Sequence, residues 1–206
     1  MLSNFVYGAV RLFFKVIFFF YHRLSIKWLE PLSKEGNVIV ASNHCSNLDP
    51  LVVGTAFPRR LRYFAKEELF RPFVFGQFIR ILGAVPVSRD NNAAAAGALK
   101  GFLKFLENGS DVLIFPEGSR SPDGNMLPLE AGVGLIACHS RVPILPVFIK
   151  GSHKAMKTGS VMVKPVKVTV TFGRLITLTP EAYKDKNARD KIMTALNDAF
   201  KALESA

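Results

Sequence analysis

The sequence predicts an α/β fold, a mainly parallel sheet flanked by helices and preceded by an N-terminal amphipathic membrane-surface helix. Three observations lead there. Short Val-, Ile- and Phe-rich runs alternate with longer segments of helical spacing. Most of the short runs are unbroken apolar stretches, the pattern of strands buried on both faces. Charged side chains follow their ends, where a parallel sheet opens its ligand crevice.

The first element runs from Phe5 to Tyr21, 17 residues against the roughly 20 that cross a bilayer. Asn4, Gly8, Arg11, Lys15 and His22 fall close to one stripe, with Phe and Val elsewhere, which describes a helix lying in the interface with Arg11 and Lys15 toward the headgroups. A helix packed on the core is the competing expectation. A spanning helix would hold both charges near mid-depth. Residues 1–30 are therefore read as an anchoring segment and 31–206 as the α/β domain.

From Asn37 the strands are read at Val38–Ala41, Leu61–Ala65, Ala84–Val87, Val112–Phe115, Ile144–Ile149 and Val166–Phe172, each rich in β-branched or aromatic residues. Helices are read at Pro50–Ala56, Pro72–Ile81, Ala93–Glu107 and Ala131–His139, with a last amphipathic helix at Lys186–Leu203. Gly109 closes the third of these. Lys167, Thr169 and Thr171 alternate with Val and Phe in the last run, so that strand is expected at an edge or half exposed.

Net charge is +11, yet 49% of the 206 residues are hydrophobic and 18 are Phe. Basic and apolar together point to an anionic phospholipid membrane surface. Nucleic acid is the rival partner, but no aromatic-rich basic strand or recognition-helix pattern is present. Cys45 and Cys138 are too few for a disulfide framework or a zinc site. The N-terminal run holds Arg11 and Lys15 and lacks a small-residue cleavage site. The expected setting is the cytoplasmic face of the cell membrane, with the protein peripheral or monotopic.

If the strands are parallel, their ends bring together His44, Lys66, Arg89, Glu117 and Arg120. His44 and Asp49 lie five positions apart, about 500° of helical turn, so they cannot share a helix face, and Pro50 disfavours helical angles at Asp49. His44 thus belongs to a loop, with Asp49 at a helix entry and within reach of an imidazole nitrogen. A carboxylate fixing one tautomer and leaving the other nitrogen as a base is triad logic without the serine. Asp49 as a simple N-cap, with Pro50 at the first helical position, is the alternative. A base beside an anion-binding turn suits proton removal from a negatively charged substrate. Cys45 is next to His44 but adjacent side chains rarely meet, so it reads as a small buried hydrophobe. There is no Gly-x-Ser-x-Gly elbow, no His spacing for a metal and no Gly-rich phosphate cradle.

Five blocks in order carry a further signal. They are Asn43-His44-Cys45-Ser46-Asn47-Leu48-Asp49-Pro50, Lys66-Glu67-Glu68-Leu69, Gly83 to Arg89, Phe115-Pro116-Glu117-Gly118-Ser119-Arg120, and Val142 to Val147. Together they resemble the lysophospholipid acyltransferase family. The resemblance implies transfer of a fatty acyl group from acyl-CoA or acyl-carrier protein, as co-substrate and with no cofactor, to the sn-2 hydroxyl of lysophosphatidate, giving phosphatidate. It assigns His44 as general base and Asp49 as its orienting partner. Glu117, Gly118 and Ser119 match the acceptor block, and Arg120, Lys66 and Arg89 match groups that hold the acceptor phosphate; a role for Lys66 at the thioester oxyanion is the alternative. Pro143 to Val147 implies a buried strand lining the acyl or donor site. Ser119 stands where Thr is commoner, and Leu129-Glu130-Ala131-Gly132 lacks the basic residue often found before that glycine. Another lysophospholipid as acceptor therefore stays open, as do a thioesterase or esterase using the same pair and a non-catalytic lipid-binding module.

Overall fold

The computed structural model describes residues 2–87, 92–160 and 162–206, with side chains left out at 2–4 and 92–95. Its elements follow in chain order: α1 (Leu2–Tyr21), β1 (Ser25–Trp28), β2 (Ile39–Ser42), α2 (Asp49–Ala56), β3 (Leu61–Lys66), α3 (Phe73–Ile81), β4 (Ala84–Val87), α4 (Asn92–Glu107), β5 (Asp111–Ile114), α5 (Gly132–Ser140), β6 (Ile144–Lys150), α6 (Ser152–Ala155), β7 (Thr169–Phe172) and α7 (Ala188–Ser205). Short 3₁₀ turns at Glu67–Phe70 and Ala182–Lys184 complete them.

Among the described residues the strands form one seven-stranded sheet in the order β1-β7-β6-β2-β5-β3-β4. All neighbours are parallel except the antiparallel pair β6 and β7. The mainly parallel α/β architecture matches the sequence reading. Its physical basis is visible in β2, where alternate residues enter opposite layers. Val38 and Val40 pack with Val52, Val53, Phe57 and Phe18 beneath α1, α2 and α3. Ile39 and Ala41 pack with Leu106, Val133, Ile192 and Phe200 from α4, α5 and α7.

Two readings need correction. Val166–Phe172 was expected at an edge or half exposed, but β7 lies between β6 and β1 and is buried from Val170 to Phe172. Ser25–Trp28, inside the segment read as a helical appendage, forms β1 and pairs with it from Ser25↔Thr169 to Trp28↔Phe172. Trp28 stacks on Phe172 with ring centroids 3.9 Å apart. A four-residue strand with one Lys and one Ser carries too weak a periodicity to be read from sequence, and its pairing removes the free edge of β7.

α1 also differs in detail. Phe18 is buried (2% exposed) and Phe14 packs on Phe78 of α3 at 5.4 Å between centroids. Arg11 turns toward the protein, its Nε and Nη1 donating to the carbonyls of Thr55 and Pro58 at 3.3 Å each. It thereby satisfies carbonyls at the end of α2 instead of facing headgroups. Lys15 is exposed. So the inner stripe docks on the domain while Leu12, Phe13, Val16, Phe19 and Phe20 remain exposed on the outer one.

At the edge of the sheet away from the site, Asp111 ties three segments. Its Oδ1 accepts the Val38 N–H at 2.9 Å and Arg59 Nη2 at 2.8 Å, while Oδ2 meets Arg59 Nε at 2.8 Å. Asp111→Ala leaves the buried Val38 N–H without its partner and strips Nε and Nη2 of Arg59 of theirs, while Nη1 keeps the Gly36 carbonyl. It is expected to cost about 3 kcal/mol, a fall in Tm of about 6–12 °C for a chain of this size, measured by calorimetry.

Candidate active site

β2, β3, β5 and β6 run in one direction, so the loops after Ser42, Lys66, Ile114 and Lys150 open on one edge of the sheet. The loop after β2 is held from below by Asn43, whose side chain donates to Ile149 O at 3.1 Å and accepts from Ile149 N at 2.7 Å. His44 follows. Its Nδ1 lies 2.9 Å from Asp49 Oδ2, and that oxygen also accepts the N–H groups of Cys45 and Ser46 at 2.7 Å each. The Asp49 side chain is fully buried. It makes no cap to α2, so the N-cap alternative fails: the carboxylate turns back to the imidazole. A carboxylate oxygen that already accepts two backbone N–H groups can only accept from the imidazole, so the pairing calls for the Nδ1–H tautomer of His44, with Nε2 as the basic nitrogen. The imidazole lies flat on Phe115, centroids 3.9 Å apart and planes 20° apart, which fixes its orientation further.

The turn after β5 is bonded directly to this loop. Ser121 N donates to His44 O at 2.8 Å, and His44 N donates to Glu117 Oε1 at 2.6 Å. Glu117 Oε2 accepts Leu127 N at 2.7 Å. Glu117, assigned by the resemblance to the acceptor block, is buried (4% exposed) and each of its oxygens takes a backbone N–H. It is a strut between the two loops. Burial pushes its carboxyl upward, opposed by the two N–H groups and aided by the negative Asp49. Gly118 and Ser119 are exposed at the tip. Gly118 has φ +67°, a left-handed conformation that strains other side chains, so the turn favours glycine.

Arg120 Nη1 donates to Asn47 Oδ1 at 2.5 Å, which holds the guanidinium beside the histidine loop. Lys66 is exposed at the end of β3, on the same edge. Arg89 lies outside the described residues. The structure therefore brings together His44, Asp49, Glu117, Gly118, Ser119 and Arg120, with Lys66 on the shared edge. Asn43, Asn47 and Phe115 complete the arrangement; the two asparagines are part of the first block, but only the fold reveals what they bond. Cys45 is buried with Sγ 3.2 Å from Ser152 Oγ. Its thiol is pushed up to about 11, chiefly by burial, so it is inert as a nucleophile.

Fold and site together define an α/β protein with a histidine–carboxylate pair and an anion-suited turn on loops at the carboxyl edge of a parallel sheet. The chain belongs to the acyltransferase family, whose model matches residues 23–150. It is similar to the 1-acyl-sn-glycerol-3-phosphate acyltransferase of Bacillus subtilis, 29% identical over 178 residues, covering 85% of each chain. It is also similar to the enzyme of that name from Limnanthes alba, 33% identical over 135 residues, 65% of this chain. The chain spans about half of that plant relative, 48% of its length. In structure it resembles the 1-acyl-sn-glycerophosphate (LPA) acyltransferase PlsC from Thermotoga maritima, with TM-score 0.78 and 26% identity, covering 99% of this chain and 82% of that one.

Proposed function

We propose that this protein is an O-acyltransferase that moves a fatty acyl group from an acyl thioester to the sn-2 hydroxyl of lysophosphatidate, giving phosphatidate. The observation that carries the reading is the 2.9 Å His44–Asp49 bond in a loop hydrogen-bonded to the turn that bears Arg120. His44 Nε2 takes the acceptor hydroxyl proton as the oxygen attacks the thioester carbonyl. Asp49 stabilises the imidazolium that forms. The tetrahedral intermediate collapses, the C–S bond breaks, and the departing thiolate recovers the proton from Nε2. No acyl-enzyme is needed, in keeping with the inert Cys45. Arg120 offers a planar fork to the acceptor phosphate, aided by Lys66 and Arg89. Acyl-CoA and acyl-carrier protein present the same reacting atoms and both fit this chemistry. The relatives' names support the acceptor. Mass spectrometry after incubation with lysophosphatidate and an acyl thioester tests the reading: phosphatidate is expected, and free fatty acid alone would mark a thioesterase.

Arg120→Ala removes a charge-assisted bond worth about 1.5–3 kcal/mol. The expected result is a KM for lysophosphatidate raised about 10- to 100-fold with the donor KM nearly unchanged, read from initial rates. A rise in the donor KM alone would transfer Arg120 to the donor's phosphates.

The same reading places the protein on the cytoplasmic membrane surface through the outer face of α1. Among the described residues no helix is long and apolar enough to cross a membrane. Because Phe14 and Phe18 belong to the core, removing α1 would damage the fold, and outward substitutions are the cleaner test. Phe13→Asp with Phe20→Asp, at positions 60% and 76% exposed, is expected to release the protein from anionic vesicles with an unchanged Tm. Undiminished co-sedimentation would remove α1 as the anchor.

A further inference from the structure

Two other exposed apolar segments border α1, and both lie at the catalytic edge of the sheet. At the start of α3, Phe73 is 77% and Val74 81% exposed. α3 follows β3, whose carboxyl end shares the edge with His44, and it packs on α1 through Phe14 and Phe78. The second segment is the connection between β6 and β7. There Met162 is 65% and Val163 37% exposed, and the Tyr21 hydroxyl at the end of α1 donates to Val163 O at 3.0 Å. This connection also touches the catalytic loop, since Ser46 Oγ donates to Met156 O at 2.8 Å.

Charge distinguishes the partner. Between Glu130 and Glu181 there is no acidic residue and there are seven Lys and Arg. Lys157, Lys164 and Lys167 are exposed around Met162 and Val163. Apolar tips ringed by lysines fit a lipid surface with anionic headgroups, the apolar atoms entering the acyl boundary and the ammonium groups meeting phosphates. The α3 tip is preceded by both signs of charge, Glu67, Glu68 and Arg71, so it contributes by apolar burial.

We propose that Phe73–Val74 and Met162–Val163 are two further membrane-inserting tips. Together with α1 they set the catalytic edge against an anionic phospholipid bilayer, so that a lysophospholipid reaches His44 without leaving the surface. The proposal rests on the membrane-surface reading of α1 and adds two named contact points to it.

The test uses the full chain with Val74→Trp or Met162→Trp on phosphatidylcholine–phosphatidylglycerol vesicles whose acyl chains carry bromine. Trp28, the one native tryptophan, is stacked in the sheet and serves as the reference. Strong quenching at 74 and 162 with little at 28 is expected. Vesicle-bound protein with no quenching at both positions would overturn the proposal while leaving the α1 anchor standing; an unsubstituted chain that does not sediment with vesicles would overturn both. In parallel, Phe73→Asp with Val74→Asp, and Met162→Asp with Val163→Asp, are each expected to weaken vesicle partition by about tenfold or more. Turnover of a water-soluble short-chain lysophosphatidate should be unchanged, and its loss together with retained partition would contradict the assignment. Replacing Lys157, Lys164 and Lys167 by Ala should weaken partition about fivefold per lysine and flatten its salt dependence; an unaltered salt dependence would remove the lysines from the contact.

Discussion

His44→Ala is expected to lower acyl transfer by about 10²–10⁴-fold, the usual worth of general-base assistance. The imidazole is replaceable without collapse because the loop does not hang on it. Asn43 fixes the strand end to Ile149, the backbone of residue 44 is held at both N–H and C=O, and Asp49 keeps the N–H groups of Cys45 and Ser46. The variant should therefore melt near the wild-type temperature and still bind both substrates. A folded His44→Ala protein with near-normal turnover would exclude His44 as the base.

Asp49→Asn should lose activity to a similar order, about 10²–10³-fold, for a different reason. In the wild type Oδ2 takes three hydrogen bonds, while Oδ1 has none among the described residues. An asparagine with its oxygen at the Oδ2 position and its amide at Oδ1 keeps both backbone bonds. What it loses is the negative charge that holds His44 in the Nδ1–H tautomer and stabilises the cation formed when Nε2 takes a proton. The amide group buried at the partnerless Oδ1 position should cost about 1 kcal/mol, whereas Asp49→Ala orphans two buried N–H groups and should cost about 2–4 kcal/mol. Circular-dichroism melting beside initial rates separates the two variants. Equal activity of Asp49→Asn and wild type would reduce Asp49 to a loop-forming residue.

Much of this was readable in the sequence, because the cores of β2, β4, β5 and β6 are unbroken apolar runs, β3 is broken only by Arg62, and the chemistry follows their ends. Spacing and Pro50 put Asp49 within reach of His44 but left the N-cap reading open; the family resemblance assigned the pair, and the bond at 2.9 Å is a feature of the fold. What escaped the sequence depends on contacts between distant segments. The resemblance assigned Glu117 to the acceptor block, and nothing in the turn's sequence signals that two backbone N–H groups, from His44 and Leu127, will meet its carboxylate. Arg11 shares a polar stripe with Lys15, and only the position of Thr55 and Pro58 at the end of α2 draws it inward. β1 is short and mixed, and it exists because β7 offers it a free edge. Asn47 gave no separate signal: its role depends on Arg120, 73 positions away.

The central claim is direct transfer from thioester to acceptor hydroxyl with His44 as base and no acyl-enzyme. Release of free thiol from an acyl thioester, followed with and without lysophosphatidate in the wild type and in His44→Ala, tests it most directly. Thiol should appear one for one with phosphatidate, only when acceptor is present, and at least about 100-fold more slowly in the variant. A burst of thiol in the absence of acceptor, or equal release by a folded His44→Ala protein, would contradict the account.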